Sequence, residues 1–299
     1  MYMDLLEKAN VITPVEKIGD IYFKRDDKFA PFGNGINGSK LRQCVLLFEK
    51  NKSLVQNGVI TATSILSPQA PIVSELCKYY NVPCTIYYGG TTHERLSKMS
   101  YPMMCKNNGA TIEIPCNCAR QSALQYHVNK RIKETNEFNV RYGMDLENNL
   151  DVFVESTANQ VRNLPDDLDN LVISCGSAIT TIGILMGCAL YNKNISNIYA
   201  VGIAPNRLEK INKYVSLLNE KFDINISLEN FNYIDAFSTL KGFKYENIKN
   251  ESYYDITFHK RYEAKTFSWL KDNINYKEKK TCMWIIGGEI DWNPIENRF

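Results

Sequence analysis

Lys40 sits at the end of Pro31-Phe32-Gly33-Asn34-Gly35-Ile36-Asn37-Gly38-Ser39-Lys40-Leu41-Arg42, where a loop with three glycines delivers a lysine to the start of an apolar helix. An amine held at such a turn and partly buried sheds its proton readily and can form a Schiff base with a carbonyl. Read alone, the segment fits a solvated lysine at a helix start better. A second segment, Ser174-Cys175-Gly176-Ser177-Ala178-Ile179-Thr180-Thr181-Ile182-Gly183, lies between a strand and a helix. Small residues entering a helix leave backbone N–H groups open at its positive end, which suits a phosphate. Ser177, Thr180 and Thr181 offer hydroxyls. The glycine spacing is neither a Walker loop nor a dinucleotide fingerprint, and an ordinary capped turn fits about as well.

Three further segments carry polar groups at element boundaries. In Thr63-Ser64-Ile65-Leu66-Ser67-Pro68-Gln69-Ala70, Ser67 is placed to cap a helix or to offer a hydroxyl to a ligand. In Tyr262-Glu263-Ala264-Lys265, Glu263 falls in a first helical turn, where the dipole alone accounts for a carboxylate. Trp284-Ile285-Ile286-Gly287-Gly288 is a strand ending in two glycines, open to close approach of another backbone or to a plain turn.

The elements that must position these residues alternate in type. Strands are expected at 58–64, 83–88 and 110–114, with helices at 70–80, 95–107 and 119–137. A second series, after Pro165, has strands at 168–174, 198–203 and 281–286 and helices at 180–191, 208–222 and 263–273. Alternation of this kind predicts βαβ units around mostly parallel sheets, hence an α/β fold.

Composition narrows the class. Of 299 residues 44% are hydrophobic and 23% charged, a globular balance with ample core. No apolar run approaches the roughly 18 residues of a membrane span, and the first residues lack the pattern of a secretory signal. A net charge of +2 gives no positive support for a nucleic-acid surface. The basic stretch Lys277-Glu278-Lys279-Lys280 reads as a solvated loop. Nine cysteines, irregularly spaced, suit reduced cytoplasmic thiols serving mostly as small core residues. The three histidines fall at no ligand spacing, so no metal site is expected.

Taken in order, the segments resemble the fold-type II pyridoxal-phosphate enzymes of the tryptophan synthase beta-like group, nearest the aminocyclopropane-carboxylate deaminase and D-cysteine desulfhydrase branch. Ile12-Thr13-Pro14 and Lys24-Arg25-Asp26-Asp27 match an entry motif, and Gly38-Ser39-Lys40-Leu41-Arg42 matches the Gly-x-Lys-x-Arg segment. The resemblance implies two domains, a large one from residues 1–45 and 155–299 and a small α/β one from 46–154, with pyridoxal 5′-phosphate in the cleft between them. It makes Lys40 the Schiff-base lysine and Gly176, Ser177, Ala178, Ile179 and Thr180 the phosphate loop. Glu263 then faces the ring nitrogen, Tyr262 stands near the substrate, Ser67 or Lys40 moves the α-proton, and Gln69 partly replaces a ring contact. A homodimer is also implied.

Departures from the pattern bear on specificity more than on cofactor attachment. Pro68 replaces an asparagine, Ala178 and Ile179 replace two glycines, and Ile285-Ile286 replaces His-Thr. Ile179, being β-branched, disfavours a left-handed backbone. The leading expectation is a lyase or deaminase-type elimination on a small α-amino acid. A second is a pyridoxal-phosphate enzyme acting on an amino-acid-modified nucleotide or DNA base, as in phage hypermodification. A third is a non-catalytic binding protein of the same fold.

Overall fold

The computed structural model describes residues 4–290. They form two compact units, each described by itself: residues 4–31, 37–43 and 147–289, and residues 32–36, 44–146 and 290.

In the first unit, β1 (Val15–Ile18) and β2 (Ile21–Arg25) form an antiparallel hairpin. Parallel strands β7 (Leu168–Cys175), β8 (Ile195–Gly202), β9 (Phe231–Ile234) and β12 (Thr281–Ile285) complete a sheet of order β1-β2-β12-β7-β8-β9. β7 and β12 are almost wholly buried, which explains why their sequences run apolar instead of alternating. Helix Glu263–Asn273 packs Ala264, Phe267 and Leu270 against Phe23, Val172 and Met283 of the sheet. Each fully buried large side chain there contributes roughly 1.5–3 kcal/mol. A two-stranded hairpin of β10 (Ser252–Tyr253) and β11 (Ile256–Thr257) adds Phe258 and Tyr253 to that core.

The second unit holds an all-parallel sheet of order β5-β4-β3-β6, from β3 (Val59–Ala62), β4 (Cys84–Tyr87), β5 (Thr111–Glu113) and β6 (Phe138–Val140). Its core gathers Ile60, Ala62, Tyr87, Leu124 and Val128. The expected α/β architecture with two mostly parallel sheets is what the chain adopts. One expected element is broken: 95–107 is two helices, His93–Leu96 and Ser100–Asn107, with Met99 extended between them. Pro102 lacks an N–H and belongs in a first turn, so the helix restarts just before it. Strands β1, β6 and β9 escape the pattern because they are short and only partly buried, and β2 because Lys24 and Arg25 break its apolar run. Six of the nine cysteines are buried, and all are free thiols. Among the described residues no helix is long and apolar enough to cross a membrane.

The entry motif turns out to be a buried polar knot in the first unit. Asp26 is fully buried and accepts from Thr13 Oγ1 (2.6 Å), Arg42 Nη1 (3.1 Å), Trp284 Nε1 (2.9 Å) and Ser39 Oγ. Burial alone would raise its pKa, but Arg42, Lys24 and the hydroxyl donors outweigh it and hold the carboxyl below its usual range. Lys24, also buried, donates to Thr13 O (2.6 Å) and Asn163 Oδ1 (2.8 Å), and burial brings its pKa down to about 8. Arg25, only partly exposed, instead pairs with Glu16 (2.8 Å) and Asp27 (2.7 Å). Ser39, one of the four partners of Asp26, is the residue before Lys40.

Asp26→Ala removes the only carboxylate facing Arg42 in this knot and leaves two buried cations behind. Breaking a buried pair this way costs about 3–5 kcal/mol. Urea unfolding followed by tryptophan fluorescence should show that loss, and an unchanged midpoint would contradict the role given to Asp26.

Candidate functional site

Helix Ser39–Lys50 begins one residue before Lys40, which is half-buried. Gly38 precedes it at φ +95°, a left-handed backbone, and a Cβ there would collide with the Ile286 carbonyl. The chain end of β12 is what it approaches. Ser39 N–H donates to Ile286 O (2.8 Å), and Gly288 N–H donates to Asn37 Oδ1 (2.7 Å). The two glycines after β12 are therefore a seat for the lysine loop.

The N–H of the same residue, in the preceding peptide group, serves Glu263. Ile286 N–H donates to Glu263 Oε1 (3.1 Å), so one residue's backbone joins Glu263 to the start of the Lys40 helix. Glu263 is 1% exposed, and its Oε2 has no hydrogen-bond partner. Burial pushes its pKa up to about 8, against opposing backbone N–H donors and with help from the charge of Asp27. The helix dipole does not explain a carboxyl placed so; a dipole partner would be solvated and ionised.

Tyr262 lies with its ring against Gly176, where an added Cβ would meet Cε1 at 3.4 Å. Its hydroxyl is 2.7 Å from that of Tyr245. Tyr245 carried no signal in the sequence beyond being one of 18 tyrosines. Its loop is held by two cations from the Tyr262 segment: Arg261 donates to Glu246 O (2.7 Å) and Tyr245 O (3.4 Å), Lys265 to Lys244 O (2.7 Å) and Phe243 O (3.5 Å). His259 stacks edge-on to Tyr262 at 4.7 Å and is kept neutral by burial, its pKa lowered to about 4.

The loop Gly176–Thr180 opens helix Ile179–Leu190. The left-handed residue is Ala178 (φ +70°, ψ −6°), while Ile179 is already helical. Our expectation of strain at Ile179 is thus corrected by one position: the β-branched side chain sits where helical backbone accepts it. Thr180 Oγ1 accepts from Gln43 Nε2 at 3.3 Å. Thr181 Oγ1 is buried without a partner. Arg207 Nε, which the sequence did not single out, donates to Gly176 O at 3.2 Å.

Ser67 and Gln69 belong to the second unit and form a cluster of their own. Ser67 Oγ accepts from Gln69 N–H (3.3 Å), but the N-cap is Pro68, so Ser67 closes the turn before the helix and is not its cap. Gln69 Nε2 donates to Thr61 Oγ1 (2.9 Å) and Arg141 O (3.0 Å), and Oε1 accepts from Met144 N–H (3.1 Å). With both donors engaged, Gln69 braces the loop after β6. Lys40, Gly176, Ser177, Ala178, Ile179, Thr180, Tyr262 and Glu263 all lie in the first unit.

This architecture is that of the fold-type II pyridoxal-phosphate enzymes, the tryptophan synthase beta-like group. Superposition on an ACC deaminase homologue covers 92% of this chain and 89% of that one, with a TM-score of 0.72 at 16% identity. Threonine deaminase isoform 2 from Solanum lycopersicum gives 0.62 at 13% identity, over 98% and 83% of the two chains. No family model matches the chain. In sequence it is similar to an O-seryl-dTMP PLP-dependent decarboxylase of Salmonella phage ViI, 26% identical over 95% of this chain and 83% of the relative.

Two consequences are measurable. Ala178→Gly relieves a left-handed alanine and should raise stability by about 0.5–1 kcal/mol in urea unfolding; a loss would place the strain elsewhere. For Glu263, folded and unfolded chains are both protonated below about pH 4.5, and between there and about 8 only the unfolded chain ionises. Stability of the ligand-free protein therefore falls as pH rises through that window, by ~1.4 kcal/mol per pKa unit at most. Glu263→Gln should flatten the fall between pH 5 and pH 8, and a parallel profile would refute the assignment.

Proposed function

We propose that this chain is a pyridoxal-phosphate enzyme whose substrate is an amino acid carried on a nucleotide, and that it breaks the bond between the α-carbon and the carboxylate. The observation that carries the cofactor is Glu263: a buried carboxyl with one oxygen open, wired through Ile286 to the start of the Lys40 helix. Natural folds rarely leave such an atom unpartnered, and a protonated ring nitrogen would satisfy it. The substrate class is supported by the similarity to the phage decarboxylase, which runs over 95% of the chain.

The residues fit the group. Lys40 would hold it covalently, the amides of 177–180 would take its phosphate, and Glu263 would face its ring nitrogen. We assign cofactor binding to the domain of residues 1–45 and 155–299, with 46–154 as the small domain. When bound, pyridoxal phosphate supplies an electron sink for the pair left at Cα. Glu263, its pKa raised to about 8 in the ligand-free chain, would share a single proton with the ring nitrogen and hold it there. CO2 departs, and a proton is then added at Cα by Lys40 or by Tyr262, whose hydroxyl is held on that of Tyr245. Ser67 is kept as our candidate for a second hydroxyl in moving that proton. The departure at Ile286 costs nothing in this scheme, because the backbone of Ile286 does the work.

A second reading, deaminase-type elimination on a free amino acid, is favoured by the Tyr262-Glu263-Ala264-Lys265 order and by the fold likeness to the ACC deaminase homologue. Both readings require that added pyridoxal phosphate give a visible band, and that borohydride fix it to the peptide containing Lys40. Lys40→Ala should show neither; a protein that stays colourless ends both. The loaded enzyme is then given O-seryl-dTMP. Release of CO2 with a matching mass loss in the nucleotide supports the first reading, and ammonia from free amino acids with no CO2 supports the second.

A further inference from the structure

A nucleotide substrate brings a phosphate of its own, and the first unit contains one cation suited to it. Most cations near the carboxyl ends of its strands are already engaged. Arg25 pairs with Glu16 and Asp27, Lys28 with Glu16, and Arg42 with Asp26. Arg261 and Lys265 are bound to the carbonyls of 243–246. Arg207 differs. It follows β8, next to the Gly176 loop that follows β7, at the sheet edge where open α/β folds bind ligands. It is half-buried and fixed at two points, by Nε on Gly176 O and by its backbone N–H on Tyr233 Oη, each 3.2 Å. The Nε bond leaves the paired Nη groups on the other edge of the guanidinium, and among the described residues no carboxylate forms an ion pair with them.

The face it occupies matters. In a trans peptide the Gly176 carbonyl and the Ser177 N–H point in opposite directions, and no described peptide is cis. An anion cradled by the amides of 177–180 therefore lies on the side of that peptide away from Arg207. The ring of Tyr262 lies where a Cβ on Gly176 would meet it, so one residue borders both the proposed reacting end and this arginine.

We propose that Arg207 is a specificity residue that takes the substrate's phosphate monoester through its Nη pair, at a position separate from the cofactor's phosphate. This rests on the nucleotide reading of the substrate. The test uses the protein loaded with pyridoxal phosphate, as wild type, Arg207→Ala and Arg207→Lys. Calorimetry measures binding of thymidine 5′-monophosphate and of thymidine, and titration of the visible band measures cofactor affinity. Wild type should prefer the monophosphate by about ten- to a hundredfold, the value of a paired charge-assisted contact. Arg207→Ala should bind the two alike with cofactor affinity unchanged, and Arg207→Lys, keeping the charge without the paired donors, should lose much of the preference.

An intact preference in the variants overturns the proposal and leaves the nucleotide reading standing. Lost cofactor affinity in Arg207→Ala overturns it in favour of the cofactor's phosphate. A wild type that shows its visible band but binds neither nucleotide overturns both the proposal and the nucleotide reading. Should the alanine variant not fold, an unchanged preference in Arg207→Lys decides against us.

Discussion

Asp26 is the interaction on which the first unit depends. Its carboxylate draws on three other stretches of chain, through Thr13, through Ser39 and Arg42 of one helix, and through Trp284. Removed from water, an ion of this kind is costly unless its lone pairs are filled. Here they are filled from the chain's beginning, from the lysine helix and from the last strand of the sheet. Lys24 adds a second cation whose ammonium is held by Thr13 O and Asn163, so the hydroxyl and the carbonyl of Thr13 both belong to the knot.

Glu263 shows the opposite treatment of the same chemistry. Both carboxyls are buried, yet Asp26 is held below its ordinary pKa and Glu263 is raised to about 8. The difference lies in what surrounds them. Asp26 meets a guanidinium, an indole N–H and two hydroxyls, while the side chain of Glu263 meets no cation, only backbone N–H groups, that of Ile286 at 3.1 Å, with the charge of Asp27 nearby. A fully satisfied group holds structure together. One left half-satisfied in a core is a place prepared for something else.

Much of this was legible in the sequence. The alternation of elements gave the α/β class, and helices Leu208–Phe222 and Glu263–Asn273 fall at the expected residues because their apolar faces and ends are well marked. The order of motifs pointed to the fold. What stayed hidden depends on contacts between residues far apart in the chain. Tyr245 and Arg207 matter through partners 17 and 31 positions away. The bracing role of Gln69 gave no sign in the sequence, because its partners Thr61, Arg141 and Met144 meet it only in the folded unit. Ile179 looked strained because the sequence does not say which residue of a tight turn takes the positive φ; Ala178 does.

The peptide groups at Ile286 act as a short rigid gauge. Ser39 and Glu263 are bound to the oxygen and the nitrogen of one residue, atoms whose separation is limited by bond lengths and a few stiff angles. Breathing of the sheet carries both attachments along together. A lysine that must leave its carbon when substrate arrives, and find it again afterwards, would then start each return from the same place. Neither attachment uses the side chain at this position, so both depend on the register of the strand beneath it and not on which side chain stands there.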